Sequence, residues 1–294
     1  MTAFQKPLSL FIFVFSTILY AQNTKEITIK TTQLSDNVYM LVGQGGNIGV
    51  SVGNDGVFVI DDQFAPLTPK ILEAIKKLSD KPIVFLANTH YHGDHTGGNV
   101  NMAKEGAKII AHDNVRKRLV ETPKRDGSMN PKEALPIITF NDKMNLYING
   151  DEIAVFHVDN AHTDGDALLY FTNGNVLHTG DTYFNGRYPY IDLNSGGSVK
   201  GYIEAAKKGL MLVDDNTKII PGHGGLSNKA EYQTFLKMLE TLKTKVQAEI
   251  DKGKTEDDVV ANTTITEAYD VLNYGSGFIS SEKIRSTFYK SLKK

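Results

Sequence analysis

The sequence predicts a mixed α/β (α+β) chain folded as a four-layer αββα sandwich. Three observations carry this. Short β runs crowd the first hundred residues, a second set returns between 153 and 177, and amphipathic helical stretches flank both. A sheet must bury its apolar face on another layer, so two strand-rich halves pack most economically with strands inside and helices outside. At 294 residues, 40% hydrophobic and 22% charged, the chain can bury one sizeable core, which suits one large domain better than two.

Taken in order, residues 1–21 read as a secretory signal peptide. Lys6 precedes the apolar run 8–19, which is short for a bilayer span, and Ala21-Gln22 follows as a cleavage point. An uncleaved anchor is the lesser reading. Residues 22–294 are then the mature domain, expected in a periplasm or secreted. Runs 26–30, 38–42, 48–52 and 57–60, separated by turns such as Asn54-Asp55-Gly56, read as a β meander. Thr68-Pro69 opens a helix, with Thr as its cap, Pro at its first position, and Ile71, Ala74, Ile75 and Leu78 on one stripe. A buried strand follows over 82–87.

The second half repeats the scheme, with strands at 153–158, 167–171 and 176–177 and helices at 199–212 and 228–250. In the last, Asn228 and Glu231 have capping-box spacing, and Tyr232, Phe235, Leu236 and Leu239 form the buried face. Segment 121–136, with Pro123, Gly127 and Pro131, is the expected mobile loop. After Asp251, the spacing of Ile284, Phe288 and Leu292 predicts a docked terminal helix, with a dimer contact as the lesser reading. Neither a solenoid-period repeat nor a low-complexity tract is present.

Composition excludes several functions. Net charge is −2 with Lys and Arg scattered, which leaves no electrostatic footprint for nucleic acid. Cysteine is absent, so disulfides and thiolate ligands are excluded, and any metal must be held by imidazole and carboxylate.

Against that background one motif stands out: His90-Tyr91-His92-Gly93-Asp94-His95, directly after a buried strand. Three imidazoles and a carboxylate would repel and desolvate one another there unless a cation held them. A loop can split them, His90 and His92 turning to one metal and Asp94 and His95 to a second, so two metals are predicted. The alternative is a set of surface polar residues in a turn.

Further ligands must complete two sites. His162 sits in the polar loop 160–164 at a strand end, whereas His157 lies inside the strand and reads as core, and His112 as a helix start. Asp181, after the strand 176–180, is the choice for a bridging carboxylate. Residues three apart face opposite sides of a strand, so His178 is assigned to the second layer of contacts or to the core. His223, in Pro221-Gly222-His223-Gly224-Gly225, has glycines that let the backbone bring an imidazole close to a buried ion.

This ordered set, His-x-His-x-Asp-His followed by His162, Asp181 and His223, resembles the metallo-β-lactamase superfamily over about residues 37–250. The resemblance implies the αββα fold, two Zn2+ per chain and hydrolysis by metal-activated water. On that pattern His90, His92 and His162 hold the first zinc, Asp94, His95 and His223 the second, and Asp181 bridges. Asp61 would support the ligand loop, and Asp94 would orient the nucleophile and pass a proton to the leaving group. The chain offers no convincing Gly-x-Ser-x-Gly elbow and no cysteine nucleophile for a covalent route.

Substrate is narrowed by exclusion. Length and charge do not suit the nuclease members, a flavin partner domain has no room, and the β-lactamases with a cysteine ligand are excluded. Export argues against glutathione thioesters, although Thr179-Gly180-Asp181-Thr182 is similar to that class. Lactonases share the whole ligand set. Phe184 stands where cysteine-type β-lactamases carry a substrate-gripping lysine, for which Arg187 could substitute. The loop 182–191 is the expected substrate wall, with Tyr183, Asn185 and Arg187 as binding residues; its other reading is a punctuated connection. The expectation is an exported dizinc hydrolase of small cyclic amides or esters, β-lactamase-like, with an acyl-homoserine lactonase or glyoxalase II-like thioesterase as alternatives. A zinc-binding protein without turnover is the non-enzymatic reading. Seven ligands for two metals leave room for water, which favours the enzyme. Expected partners are a small-molecule substrate, with neither nucleic acid nor stable membrane association, for a monomer or homodimer.

Overall fold

The computed structural model describes residues 27–124 and 127–293. The expected signal peptide lies outside the described residues. The chain runs β1 (Lys30–Gln33), β2 (Val38–Val42), β3 (Ile48–Gly53), β4 (Gly56–Ile60), α1 (Thr68–Lys76), β5 (Ile83–Ala87), α2 (Gly93–Thr96), α3 (Asn99–Lys104), β6 (Lys108–His112), α4 (Asp113–Glu121) and β7 (Ile138–Phe140). Then come β8 (Lys143–Ile148), β9 (Asp151–His157), β10 (Ala167–Phe171), β11 (Val176–His178), α5 (Val199–Leu212), β12 (Lys218–Ile220), α6 (Lys229–Asp251), α7 (Glu256–Ala261), α8 (Glu267–Asp270) and α9 (Ser281–Lys293).

Strands β1 to β7 form one sheet in sequence order, antiparallel through β4 and parallel beyond it; the second sheet is ordered β12-β11-β10-β9-β8. The alternation of strand side chains decides the layers. Val57 and Val59 of β4 pack outward with Ile71 and Ile75 of α1, while Phe58 and Ile60 pack inward with Val155, Leu169 and Phe171 of the other sheet. Leu168 and Leu177 reach the far side of that sheet, where Tyr202 of α5, Phe235 and Leu239 of α6 and Phe288 of α9 cover them. The result is the αββα sandwich.

Local departures have physical reasons. The first strand is Lys30–Gln33 rather than 26–30, because Lys30 pairs with Val42 and Gln33 with Tyr39. Thr68 is not a cap: a 3-10 turn over Ala65–Leu67 feeds straight into α1, so Thr68 is already its first helical residue. Asn228 caps α6 by accepting from Glu231 N at 3.0 Å, but the Glu231 carboxylate turns away to Ser227 Oγ at 2.8 Å, leaving half a capping box. In segment 121–136, Asn130 donates to Leu119 O and Asn99 to Ala134 O, so much of the expected loop is pinned. The terminal helix is docked: Ile284 and Phe288 are buried, and Arg285 donates to Val260 O at 2.8 Å. Among the described residues no helix is long and apolar enough to cross a membrane.

Candidate metal centre

Two ligand groups form at one end of the sandwich: His90, His92, His162 and Asp181, and beside them Asp94, His95 and His223, the ligand atoms of each group lying within 4.8 Å of one another. All seven sequence candidates are brought together, in the grouping expected. Backbone geometry explains the split. His90 and His92 lie in the extended segment after β5, with His92 at φ −63°, ψ 148°, and the chain turns helical at Gly93, which swings Asp94 and His95 toward the second group.

Asp181 joins the groups. Its Oδ2 is 3.8 Å from His90 Nε2 and 3.5 Å from His162 Nε2, while Oδ1 is 3.0 Å from His95 Nε2 and 3.4 Å from His223 Nε2. Strand alternation does not place it. Strand β11 ends at His178, and Asp181 sits in a 3-10 turn, Gly180–Thr182, in which Gly180 adopts φ +50°. The outcome for His178 is unchanged although that reason is corrected. His178 is buried, with Nε2 3.1 Å from Asn47 O and Nδ1 accepting from Gly180 N.

The outer nitrogens of four imidazoles are each held by an acceptor. Thr89 Oγ1 donates to Asp61 Oδ2 at 2.8 Å, so at 3.1 Å it accepts from His90 Nδ1. His95 Nδ1 lies 2.7 Å from Asp61 Oδ2, His92 Nε2 lies 3.1 Å from Asp192 Oδ2, and His162 Nδ1 lies 2.8 Å from Tyr190 O. A ring nitrogen facing an acceptor carries the proton, so in the neutral rings the inner nitrogens are bare lone pairs aimed at one another. His92 Nδ1 and His162 Nε2 are 2.8 Å apart. His90 Nε2, His95 Nε2 and Asp181 Oδ1 are buried without a hydrogen-bond partner. Converging acceptors of this kind need a cation, and the donor set, imidazole with carboxylate and no thiolate, fits zinc or a similar divalent metal.

The electrostatics divide the cluster, His90 and His162 resisting a proton and His95 and His223 attracting positive charge. Burial pushes His90 well below the usual imidazole range, and burial lowers His162 to about 4. Burial also opposes charge on His95 and His223, yet the facing carboxylates win, holding His95 well above its ordinary value and His223 at about 9. Burial is outweighed at Asp181 too, where His223, His95 and His90 keep the carboxyl well below the usual range.

Asp61 sits at φ +62° at the end of β4, from where its Oδ1 accepts from Thr89 N at 2.8 Å while Oδ2 takes the Thr89 hydroxyl and His95. Two glycines have no room for a side chain. A Cβ at Gly222 would overlap Asp181 Oδ1, and one at Gly46 would overlap the His95 ring.

Sequence reasoning missed Asp192, Asp166 and the hold of the Tyr190 carbonyl on His162, Tyr190 having been expected only as part of the substrate wall. Asp166 accepts from His162 N and Thr163 N at 2.6 and 2.8 Å, with burial raising its carboxyl to about 7. These residues act across long loops, and no local pattern marks them. His112 and His157 stand apart from both groups, their rings stacked at 3.9 Å, with His112 capping α4 by accepting from Asn114 N.

A cavity of about 1200 Å3 opens over the cluster, reaching His92, Asp94, Asp181 and His223. Of the three residues expected to bind substrate, Arg187 lines it. Tyr183 does not: it is fully buried, stacks on Tyr232 at 4.6 Å and bonds Ser227 Oγ at 2.7 Å. Asn185 turns its amide to Gly225 O and Glu231 Oε2 at 3.2 and 3.1 Å. The apolar core claims the first and the α6 terminus the second. Phe184 stacks on His223 at 5.0 Å and lines the cavity instead.

Comparison with known proteins adds a family. A family model described as the metallo-β-lactamase superfamily matches residues 41–223, a span that holds all seven ligands. The hydroxyacylglutathione hydrolase of Pelagibacter ubique is 29% identical over 197 residues, covering 65% of this chain and 67% of that protein. A metallo-β-lactamase type 2 from Bacillus sp. is 22% identical over 235 residues, 74% of this chain and 88% of its own. Among solved structures, a metallo-β-lactamase from Pontibacter korlensis has a TM-score of 0.62 at 17% identity, over 72% of this chain and 99% of that one. An inverting sec-alkylsulfatase from Pseudomonas sp. has a TM-score of 0.64 at 16% identity, over 89% of this chain and 50% of that one. At such identities these structures speak for the fold alone. Fold, ligand set and sequence match agree, and the chain belongs to the metallo-β-lactamase superfamily.

Proposed function

We propose that the chain is an exported, zinc-dependent hydrolase that opens small cyclic amides or esters. The convergence of bare imidazole and carboxylate lone pairs on two adjacent positions carries this reading. His90, His92, His162 and Asp181 would hold one zinc, and Asp94, His95 and His223, with Asp181, the other. When bound, zinc supplies Lewis-acid polarisation of a carbonyl and a nucleophile at neutral pH.

The chain's own residues do the rest. Asp94 borders the cavity, and although burial opposes its ionisation, His95 and His223 keep its carboxyl below the usual range. It is therefore an ionised base that can take a proton from attacking water and return it to the leaving atom. His223 Nε2 lies 3.3 Å from Asp94 Oδ2, so the two side chains face the same cation position. Phe184 and Tyr190 exclude water from one side, and Arg187 supplies a fork for a substrate carboxylate.

A thioester substrate is the second reading. It is favoured by the 29% identity to a protein named hydroxyacylglutathione hydrolase. The test is parallel turnover of a chromogenic cephalosporin, an acyl-homoserine lactone and a glutathione thioester by the zinc-loaded chain. Hydrolysis of the cephalosporin or lactone is expected; hydrolysis of the thioester alone would move the assignment to the second reading. Retained metal with no turnover of any substrate would make it a zinc-binding protein. Export is checked by fractionating cells that express the full chain.

A further inference from the structure

The cavity exceeds what a small ring needs. Its volume of about 1200 Å3 is above the roughly 300 to 1,000 Å3 of ordinary small-molecule sites, and its walls include Phe64, Pro66, Val100, Leu119, Phe278 and Ile279. Phe64 is 41% and Phe278 76% exposed, two large apolar rings bordering the same opening.

An aromatic ladder connects the metal cluster to that rim. Tyr190 stacks on the ligand His92 at 5.8 Å, and Phe278 meets Tyr190 edge-on at 5.7 Å. Lys283 Nζ lies 4.5 Å from the centre of the Phe278 ring and 5.6 Å from that of Tyr190, so the ladder ends under a cation. The rim has a firm base. Next to Phe278, Ile279 is buried, and both Ser281 Oγ and the Tyr188 hydroxyl donate to Asp270 Oδ1, at 2.5 and 2.8 Å. The position of Phe278 is thus set by the C-terminal segment, outside the span 41–223 that matches the family model.

We propose that the substrate is amphipathic, with its hydrolysable bond at the metal cluster and an extended alkyl or aryl group laid along Tyr190 and Phe278 toward Phe64. The proposal rests on the hydrolase reading and adds its substrate class. Small rings alone would leave most of the wall wet. Each methylene that slides along the ladder removes apolar surface from water.

The test uses the zinc-loaded full chain and p-nitrophenyl esters from acetate to decanoate. Activity on the acetate ester reports on the hydrolase reading; the chain-length dependence reports on the wall. The expected kcat/KM rises about threefold per methylene, somewhat less than full burial would give. Phe278→Ser and Phe64→Ser, both at exposed positions, should each lower the decanoate-to-acetate ratio about tenfold. Acetate hydrolysis with no rise along the series, or a ratio unmoved in both variants, would overturn the proposal. Should no ester be cleaved, calorimetric titration of decanoate against acetate decides it. Tighter decanoate binding that Phe278→Ser weakens about tenfold supports the wall, and equal or absent binding of the two acids refutes it.

Discussion

The metal cradle and the cavity wall above it are built on opposite principles. In the cradle, His90, His95 and His162 are almost wholly buried, and the outer nitrogens of four imidazoles meet Thr89, Asp192, Asp61 or a backbone carbonyl. In the wall, Phe64 and Phe278 present bare apolar surface to the opening, and Arg187 is exposed. Positions in the cradle are over-determined, because moving one ligand strands the partners of several others. Positions in the wall answer only to what packs on them. Chemistry is therefore expected to be brittle and substrate choice pliable.

The largest effect belongs to Asp181, which among the described residues is the side chain that faces both ligand groups. Asp181→Ala should lower metal retention more than about 100-fold, beyond the roughly 10- to 100-fold range of outer-contact changes, and abolish turnover with it. Dialysis against a chelator followed by metal analysis measures it. Asp192→Asn comes next. It keeps size but weakens the acceptor on His92 Nε2, and about 10- to 100-fold in metal affinity is expected. An unchanged affinity would mean that the cradle is not over-determined.

His178 sharpens the comparison, because it is polar and buried near the cradle without belonging to it. Burial lowers its pKa to about 4, against about 6.5 in an unfolded chain. A base with a depressed folded pKa contributes stability that is complete above about 6.5 and lost as pH falls toward 4, since only the unfolded state takes up the proton in between. On metal-free protein, His178→Gln should flatten that part of the stability profile by up to about 3 kcal/mol. Metal retention at pH 8 should change far less than in Asp181→Ala. The reverse pattern would put His178 among the ligands.

Smaller effects are expected in the wall. Arg187→Ala should raise KM for carboxylate-bearing substrates about tenfold, with kcat little changed. For Tyr183→Phe, which loses the hydrogen bonds to Ser227 Oγ and Asn185 Oδ1, the expected loss is about 1 to 3 kcal/mol of stability with KM unmoved. A rise in KM there would contradict the buried placement of Tyr183.

The two regions also differ in how far the sequence disclosed them. The ligands were legible because His90 to His95 crowd metal-binding types into a turn, and because Gly222 and Gly224 flag a close approach beside His223. The αββα layering followed from two strand-rich halves flanked by amphipathic helices, and the two buried faces of β4 and β10 agree with it. The wall was legible in part: loop 182–191 was expected there, and Phe184, Arg187, Tyr188 and Tyr190 line the cavity, whereas Phe64 and Phe278 were not expected. An aromatic in an irregular segment obeys no periodicity, so Tyr183 was assigned to the substrate although the core claims it. Phe278 reaches the cavity only through the docking of α9. Asp192 and Asp166 serve ligands through tertiary contacts, and nothing next to them in the chain announces that role.

The central claim is that two cation positions share Asp181. Metal content of the zinc-replete, gel-filtered protein tests it most directly. Two zinc ions per chain are predicted, falling below one in Asp181→Ala. A chain that retains no zinc, or an Asp181→Ala variant that still retains two, would contradict the account.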